Sequence, residues 1–463
     1  MSMNIPRNGR VVVIDDSTKE ALPLIKVLAR NGVPVTYFTA ELEELPEQPL
    51  DSVRLVFLDL LLNPSMEPKM VISTLVSTLS KIVNTDNGPY FIILWSRHER
   101  DYKEALEEKF NEDEELERIK PLAVISLEKN IYFEPDGEEP KNDAIHKIED
   151  KLKEKLRELR IYHLFIIWEN LVHKSTGQIV NDFFYKFDDK WNENMSCVLL
   201  KLAEGFTGKQ LDKLNDGEII KNSLFSFNSA FMDTLESEIR SYDLETVGLS
   251  FNGVSSDVNK EIVGAINSKL LLAMDKSKSI LPGNVYRFSD INKEEDSHRS
   301  SMIYDFIDPY QVQQRFLEGK DLNVGSMSEK EKKQLKRNSE GYFKKNRSEI
   351  NNISEMIVVE VSPYCDYAQK KWKISRIVKG FLWPYKQEFE GILKRADFSY
   401  ISPIISYDEN LYYLLFDLRH FSAVEFKELE TITTLFRIKH ELLIDIQSKL
   451  SAHINRPGVM SVE

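Results

Sequence analysis

The chain has 463 residues, a formal net charge of -14, and 42% hydrophobic and 29% charged residues. This length exceeds what one hydrophobic core usually supports, so we expect about two to four domains in a folded, globular protein. The acidic balance disfavours a nucleic-acid-binding function, and no apolar run approaches the roughly 18 residues that a membrane span needs.

The N-terminus and the cysteines indicate the compartment. No apolar stretch precedes Val11, so we do not predict a signal peptide. The two cysteines, Cys197 and Cys365, are too few for a disulfide framework or a four-thiolate zinc site. We therefore expect a cytoplasmic protein with neither membrane nor nucleic acid as a partner.

Five short apolar segments near the N-terminus predict the strands of a parallel sheet. They are residues 10–15, 33–39, 55–58, 90–95 and 122–127. Helical patterns lie between them, over residues 18–30, 69–84 and the acidic stretch 99–119. Strands that are apolar on both faces and alternate with helices predict a doubly wound, flavodoxin-like (βα)5 fold.

Polar residues lie at or just beyond the ends of four of these strands. Asp15 and Asp16 follow the first strand and Asp59 the third. Ser96 follows the fourth strand, and Lys129 lies just beyond the fifth. An isolated Asp after a strand is usually a turn residue or a helix cap. Five polar side chains at one edge of a sheet instead favour a functional pocket, because ligands bind there in such folds.

The carboxylates in this set suit phosphoryl transfer to an aspartate. That reaction needs a carboxylate nucleophile, a divalent cation, a hydrogen-bond donor and a fixed positive charge. Magnesium prefers oxygen ligands. We expect Asp15 and Asp16 to hold Mg²⁺ together with Asp59, the nucleophile. The backbone carbonyl of Leu61 is the expected fourth protein ligand.

The N-terminal segment resembles the receiver domain of bacterial response regulators. The resemblance rests on VVVIDDS, LVFLDLLLNP, FIILWSRHE and AVISLEKN, each at the end of a predicted strand. It implies that Asp59 accepts a phosphoryl group from a sensor histidine kinase. It also implies that Ser96 is the switch hydroxyl and Lys129 the active-site lysine. We expect no substrate turnover beyond phosphorylation and autodephosphorylation.

The segment departs from the receiver pattern at three positions. Pro64 lies five residues after Asp59, whereas the family usually has proline at four. Ser126 stands where the family has an aromatic residue, three positions before Lys129. Asn130, rather than proline, follows the lysine. These departures put the usual aromatic switch and dimer face in doubt, but they leave the phosphorylation residues in place.

The remaining chain is predicted to form two further domains after a receiver domain over residues 1–135. Residues 143–345 are mainly helical, and residues 350–463 form a β-rich module closed by a helix over 428–454. The segments MIVVEVS, RIVKGFLW, FSYISPIIS and YYLLFDL predict its strands.

Three other segments have simple structural explanations. Residues 161–173 are apolar and aromatic, so we expect them in a core. The polar region 319–349 predicts a long loop or an exposed helix, and its basic run 330–337 predicts a solvated helix face.

The C-terminal segments VVEVSPYCDYAQKKW, RIVKGF and FRIKHELLIDIQSKLSAHINRPG resemble a module of large receiver proteins from bacterial phage-defence loci. The whole chain resembles receiver proteins of the defensive two-component (Detocs) systems. This implies a relay in which a kinase senses infection and phosphorylates receiver proteins. One such protein carries a nucleotide-cleaving effector, and another acts as a phosphate sink or buffer. The resemblance places this chain with the buffer and makes a second receiver-containing effector a candidate partner.

Two other functions are open at this stage. The C-terminal region could be an effector enzyme, a nuclease or nucleotide hydrolase, with Cys365 and Asp366 as candidate residues and His420 or His440 as partners. A cysteine at a strand end is more often a small core residue, and we find no Walker A, HExxH, GxSxG or paired-acid nuclease motif. A transcription regulator is disfavoured by the net charge and by the missing helix-turn-helix pattern.

Overall fold

The computed structural model describes most of the chain. The described residues are 10–39, 41, 43–60, 68–97, 102–112, 114–134, 139–157, 161–183, 189–243, 250–255, 257–274, 280–292, 297–317, 328–363, 367, 373–389 and 391–455. They divide into two units, one within Met1–Phe206 and Asn215–Phe251, the other within Thr207–Leu214 and Asn252–Glu463. None of the helices among these residues is long and apolar enough to cross a membrane.

The first unit contains a parallel sheet with five described strands. They are β1 (Arg10–Ile14), β2 (Val35–Phe38), β3 (Val53–Leu58), β4 (Phe91–Leu94) and β5 (Ala123–Ser126). The strands lie in the order β2-β1-β3-β4-β5, and each neighbouring pair is parallel. This order is the flavodoxin-like one that the alternation of strands and helices predicted.

Helices cover both faces of this sheet. They are α1 (Thr18–Arg30), α2 (Pro68–Ile82), α3 (Lys103–Lys109), α4 (Glu114–Arg118) and α5 (Ala144–Arg157). Because successive strand residues point to opposite faces, the apolar residues of β1 sort into two cores. Val11 and Val13 pack with residues of α1 and α5, whereas Val12 and Ile14 pack with residues of α2 and α3. Both faces are therefore buried, which explains the continuous apolar runs.

Three long helices complete the first unit and confirm the predicted helical region. They are α6 (Ile161–Asp182), α7 (Trp191–Thr207) and α8 (Asp216–Ser241). The hydroxyl of Ser223 on α8 donates to the backbone carbonyl of Leu199 on α7 at 2.8 Å. The Nη2 atom of Arg54 on β3 lies 2.8 Å from a carboxylate oxygen of Glu169 on α6. These polar contacts tie the helices to one another and to the sheet.

Helix α6 is only partly the core helix that its apolar sequence predicted. Tyr162 and Ile166 are buried, but Phe165 is 59% exposed and Trp168 is 53% exposed. A helix that packs on one side buries one stripe of its surface, and these two aromatic residues lie outside that stripe. The expectation that residues 161–173 lie in a core is therefore wrong at Phe165 and Trp168, whereas Leu171 is buried as expected.

The second unit contains an antiparallel sheet with eight described strands. They are β6 (Leu272–Ala273), β7 (Asn284–Arg287), β8 (Glu355–Glu360), β9 (Ile374–Pro384), β10 (Ser399–Ile401), β11 (Ile405–Tyr407), β12 (Asn410–Glu425) and β13 (Phe436–Ile438). The order is β10-β12-β9-β8-β7-β13-β6, with β11 also paired to β12. This confirms the predicted β-rich C-terminal region, whose four expected segments correspond to β8–β12.

Helices surround this second sheet. They are α9 (Lys260–Leu271), α10 (Phe288–Ile291), α11 (Arg299–Phe306), α12 (Pro309–Leu317), α13 (Glu329–Ile353), α14 (Phe426–Glu430) and α15 (His440–Ile454). The polar region predicted as a loop or exposed helix is α13 from Glu329 onward, and its basic residues are solvent-exposed as expected. The closing helix begins at His440 rather than near residue 428, because the alternating pattern of Phe436 and Ile438 places β13 before it.

Two glycines of this unit occupy opposite environments. Gly283 precedes β7 with a φ of 88°, and a Cβ atom there would lie 2.3 Å from the backbone oxygen of Ile438 in β13. The amide of Ile438 also donates to the carbonyl of Gly283 at 2.8 Å. Gly341, inside α13, has nothing within 4 Å of the position that a Cβ would take.

We expect Gly283→Ala to destabilise the second unit by about 3 kcal/mol or more, because the methyl group meets a fixed backbone in a left-handed conformation. Gly341→Ala should instead stabilise it by roughly 0.5–1 kcal/mol through helix propensity. Thermal unfolding of the full-length variants measures both changes. Equal unfolding temperatures for the two variants would contradict the close approach of β7 to β13.

Candidate functional site

Four of the predicted site residues, Asp15, Asp59, Ser96 and Lys129, lie at the carboxyl ends of β1, β3, β4 and β5. The amide of Asp59 donates to the carbonyl of Ile14 at 2.9 Å, and the amide of Lys129 donates to the carbonyl of Ser96 at 3.0 Å. These bonds extend the strand pairing beyond the regular strands. Asp15, which directly follows β1, is thereby held at the same edge as Asp59.

Lys129 lies at the centre of the site. Its Nζ atom is 2.5 Å from Asp59 Oδ2, 2.8 Å from Asp15 Oδ2 and 2.8 Å from Glu20 Oε2. The side chain is fully buried. Burial alone would lower the pKa of Lys129, but the charges of Asp59 and Asp15 outweigh it and raise that pKa above its usual value. Lys129 is therefore an ammonium shared by three carboxylates.

Glu20 and Arg97 belong to the site, although our sequence interpretation did not include them. Glu20 lies in the first turn of α1, where the hydroxyl of Ser17 caps the helix and accepts from the Glu20 amide at 3.4 Å. The carboxylate of Glu20 bridges Lys129 and Arg97, both at 2.8 Å. The available signal was the Ser-x-x-Glu spacing, which predicts a helix N-terminus but not contact with a lysine on another element.

Asp15 has an unusual carboxylate environment. Its Oδ1 atom accepts from the Ser17 amide at 3.0 Å. Its Oδ2 atom pairs with Lys129 but makes no hydrogen bond of regular geometry with any described residue. Burial and the nearby charge of Asp59 raise the pKa of Asp15 to about 7, although Lys129 opposes the shift. A buried carboxylate oxygen of this kind is suited to receive a cation.

The charges and oxygen atoms of the site fit a bound metal ion. Oxygen atoms of Asp15, Glu20 and Asp59 lie within 4.8 Å of one another. With Asp16, these acids supply four carboxylates against the two cations Lys129 and Arg97, which leaves two negative charges when all are ionised. A hard divalent cation such as Mg²⁺ would balance that excess.

The predicted metal ligands behave differently from one another. Asp15 and Asp59 are gathered as expected, whereas Asp16 is exposed and lies outside the group of three converging acids. Partial burial and the charge of Asp59 nevertheless raise the pKa of Asp16. Glu20 contacts cations through both of its oxygens, whereas Asp15 and Asp59 each contact Lys129 through Oδ2, so Asp15 and Asp59 are better placed to hold a metal ion. Leu61 lies outside the described residues, as does Pro64.

An aromatic cluster lies beside the lysine. Lys129 Nζ is 6.0 Å from the ring centroid of Trp95. Trp95 stacks on Tyr132 at 5.6 Å and meets the edge of Phe133 at 6.1 Å. Ser96, the predicted hydrogen-bond donor, is fully buried next to Trp95. Tyr132 and Phe133 thus follow the lysine in sequence, whereas Ser126 occupies the position three residues before it.

Only part of the candidate catalytic set of the C-terminal region lies among the described residues. Cys365 and Asp366 lie outside the described residues. His420 is 4.0 Å from Asp417, and its ring is 5.4 Å from that of His298. Cys197, on α7, is an exposed free cysteine.

No family model matches the chain, and no curated protein matches it significantly. The functional assignment therefore depends on the fold and on the site. A five-stranded parallel sheet in the flavodoxin-like order and a buried acidic cluster with a lysine at its carboxyl edge together fit a receiver domain.

We expect Mg²⁺ to bind more weakly at pH 6 than at pH 8. Protonated Asp15 cannot coordinate a metal ion, and a pKa of about 7 makes the deprotonated fraction fall by roughly tenfold over this range. Isothermal titration of the full-length protein with MgCl₂ at the two pH values measures the ratio.

The variant Asp15→Asn should bind Mg²⁺ weakly and with little dependence on pH. Asp143→Asn, which changes an exposed acid outside the site, should retain the wild-type ratio. A wild-type affinity that is the same at pH 6 and pH 8 would show that Asp15 does not limit metal binding.

Proposed function

We propose that the protein is a phosphate-accepting response regulator, and that Asp59 receives a phosphoryl group from a phosphohistidine of a sensor histidine kinase. The observation that supports this most directly is the position of Lys129 Nζ, which contacts both Asp15 and Asp59 at the carboxyl edge of the sheet. A structural salt bridge would need one acid, whereas phosphoryl transfer needs a nucleophile, a metal-binding acid and a fixed cation together.

The proposed reaction is a transfer between two side chains. An oxygen of the Asp59 carboxylate attacks the phosphorus atom, the P–N bond to the kinase histidine breaks, and the imidazole leaves. Lys129 holds a phosphoryl oxygen, and the buried Ser96 hydroxyl is the proposed second donor. Mg²⁺ bound to Asp15 and Asp59 would neutralise charge on the transferring group. Water later hydrolyses the acyl phosphate and regenerates Asp59.

We further propose that this protein acts as a phosphate sink or buffer in a two-component phage-defence relay. The support is the sequence resemblance of the C-terminal segments to Detocs receiver proteins, together with the receiver-like fold of the first unit. In such a relay the protein would compete with a second receiver-containing effector for phosphate. Its second unit would then serve protein interaction rather than substrate turnover.

Phosphorylation is tested with acetyl phosphate and Mg²⁺ on the full-length protein. We expect intact-mass spectrometry to show the gain of one phosphoryl group, which EDTA prevents and hydroxylamine removes, as for an acyl phosphate. Asp59→Asn should abolish the gain, because the amide is not a nucleophile, while the exposed control Asp86→Asn should keep it. A wild-type protein that gains no mass with acetyl phosphate or a cognate kinase would exclude the proposed reaction.

Buffering is tested in a mixture of a cognate kinase, a second receiver protein and this chain. We expect increasing amounts of the wild-type chain to lower phosphorylation of the second receiver, measured by phosphate-affinity gel electrophoresis. Asp59→Asn should have no such effect, because it takes up no phosphate. If Asp59→Asn lowered phosphorylation of the second receiver as much as the wild type does, the cause would be sequestration of the kinase, which would contradict buffering.

A further inference from the structure

The carboxylate of Glu20 is held by two cations of the phosphorylation site. Its Oε2 atom contacts Lys129 at 2.8 Å, while its Oε1 atom accepts from Arg97 Nη2 at 2.8 Å and Nε at 3.2 Å. The Glu20 side chain is 13% exposed and that of Arg97 is 21% exposed. Glu20 thus competes directly with Asp59 for Lys129, from a different element of the fold.

We propose that Glu20 and Arg97 form a latch on the site, in which a phosphoryl group on Asp59 displaces Glu20 and takes over both Lys129 and Arg97. This inference rests on the proposed phosphorylation of Asp59 and concerns its regulation. Glu20 is a positioning residue that stabilises the unphosphorylated state. Arg97 becomes a second phosphoryl-binding cation.

Charge and geometry both favour this exchange. A phosphoryl group brings up to two negative charges to the atom that Lys129 already contacts, so the lysine gains a stronger partner and Glu20 meets a like charge. The planar guanidinium of Arg97 makes two bonds to Glu20 in the latched state, and the same fork suits two oxygens of a phosphoryl group. The position of Arg97 also favours the exchange, because Arg97 directly follows the buried Ser96 just beyond the end of β4.

The contacts of Arg97 connect the latch to the C-terminal end of the receiver-like segment. The guanidinium lies 5.6 Å from the ring centroid of Phe133, and the amide side chain of Asn130 donates to the Arg97 carbonyl at 3.2 Å. The chain continues from Phe133 towards α5, which packs against α1, the helix that carries Glu20. Release of Glu20 and movement of Arg97 would therefore affect both α1 and the chain that leads from Phe133 to α5.

The test is the direction in which two substitutions change the affinity for a phosphoryl mimic. Glu20→Gln removes the competing anion, so we expect beryllofluoride, used with Mg²⁺ as a phosphoryl mimic, to bind roughly three- to tenfold more tightly. Arg97→Gln removes a phosphoryl-binding cation and should weaken binding by roughly the same factor. Tryptophan fluorescence of the full-length protein follows binding, because Trp95 adjoins Lys129.

A matched control pair is available in the same unit. Arg54 and Glu169 form an ion pair of the same length, 2.8 Å, away from the site. Arg54→Gln and Glu169→Gln should leave the beryllofluoride affinity unchanged. If Arg97→Gln does not fold, Arg97→Lys replaces it, since it keeps the charge but loses the fork and should weaken binding to a smaller extent.

Opposite shifts for Glu20→Gln and Arg97→Gln support the latch. If both weaken binding, the pair has a structural role only, and the latch is overturned. The same conclusion follows if Glu20→Gln changes nothing. A wild-type protein that gains no phosphoryl group and binds no beryllofluoride would contradict the proposed function itself, so the two failures are distinguishable.

Discussion

The site in the first unit depends on the ion pairs of the buried Lys129 ammonium. It joins the ends of β1 and β3 to α1 through Asp15, Asp59 and Glu20, while its own backbone bonds to the end of β4. Removing one member of a buried ionic cluster usually costs about 3–5 kcal/mol, because the remaining charges lose their partners. A substitution of Lys129 would therefore affect both the chemistry of the site and the stability of this sheet edge. Glu20 and Arg97 lie at the less buried margin of the site.

The sheet could be predicted from sequence because both of its faces are covered. Strands buried on two sides must be apolar throughout, and such runs are visible without any knowledge of partners. Asp59 and Lys129 could be identified from the same apolar runs, since each residue lies at or just beyond the end of one. Asp16 and Glu20 were harder, because adjacency in sequence does not determine which carboxylate faces the lysine. The direction of α1 after its cap decides that, and it is a tertiary property.

The second unit shows where local patterns fail. Strands β6, β7 and β13 have four residues or fewer, and each is stabilised by pairing with strands distant in sequence rather than by its own periodicity. The segment before His440 therefore appeared to continue the closing helix. Trp168 shows the complementary error, because an aromatic residue in an apolar helix indicates burial only when a neighbouring element covers that stripe.

The strand order of the second sheet limits where a C-terminal fragment of the chain can begin. β7 lies between β8 and β13, and β6 pairs with the other side of β13. A fragment that begins near residue 350 would lack both early strands, so β8 would become an uncovered edge and β13 would lose its pairing. Exposed, apolar edges of this kind tend to pair with other chains. A C-terminal fragment that keeps the whole sheet therefore has to begin upstream of Leu272, and shorter fragments are expected to aggregate.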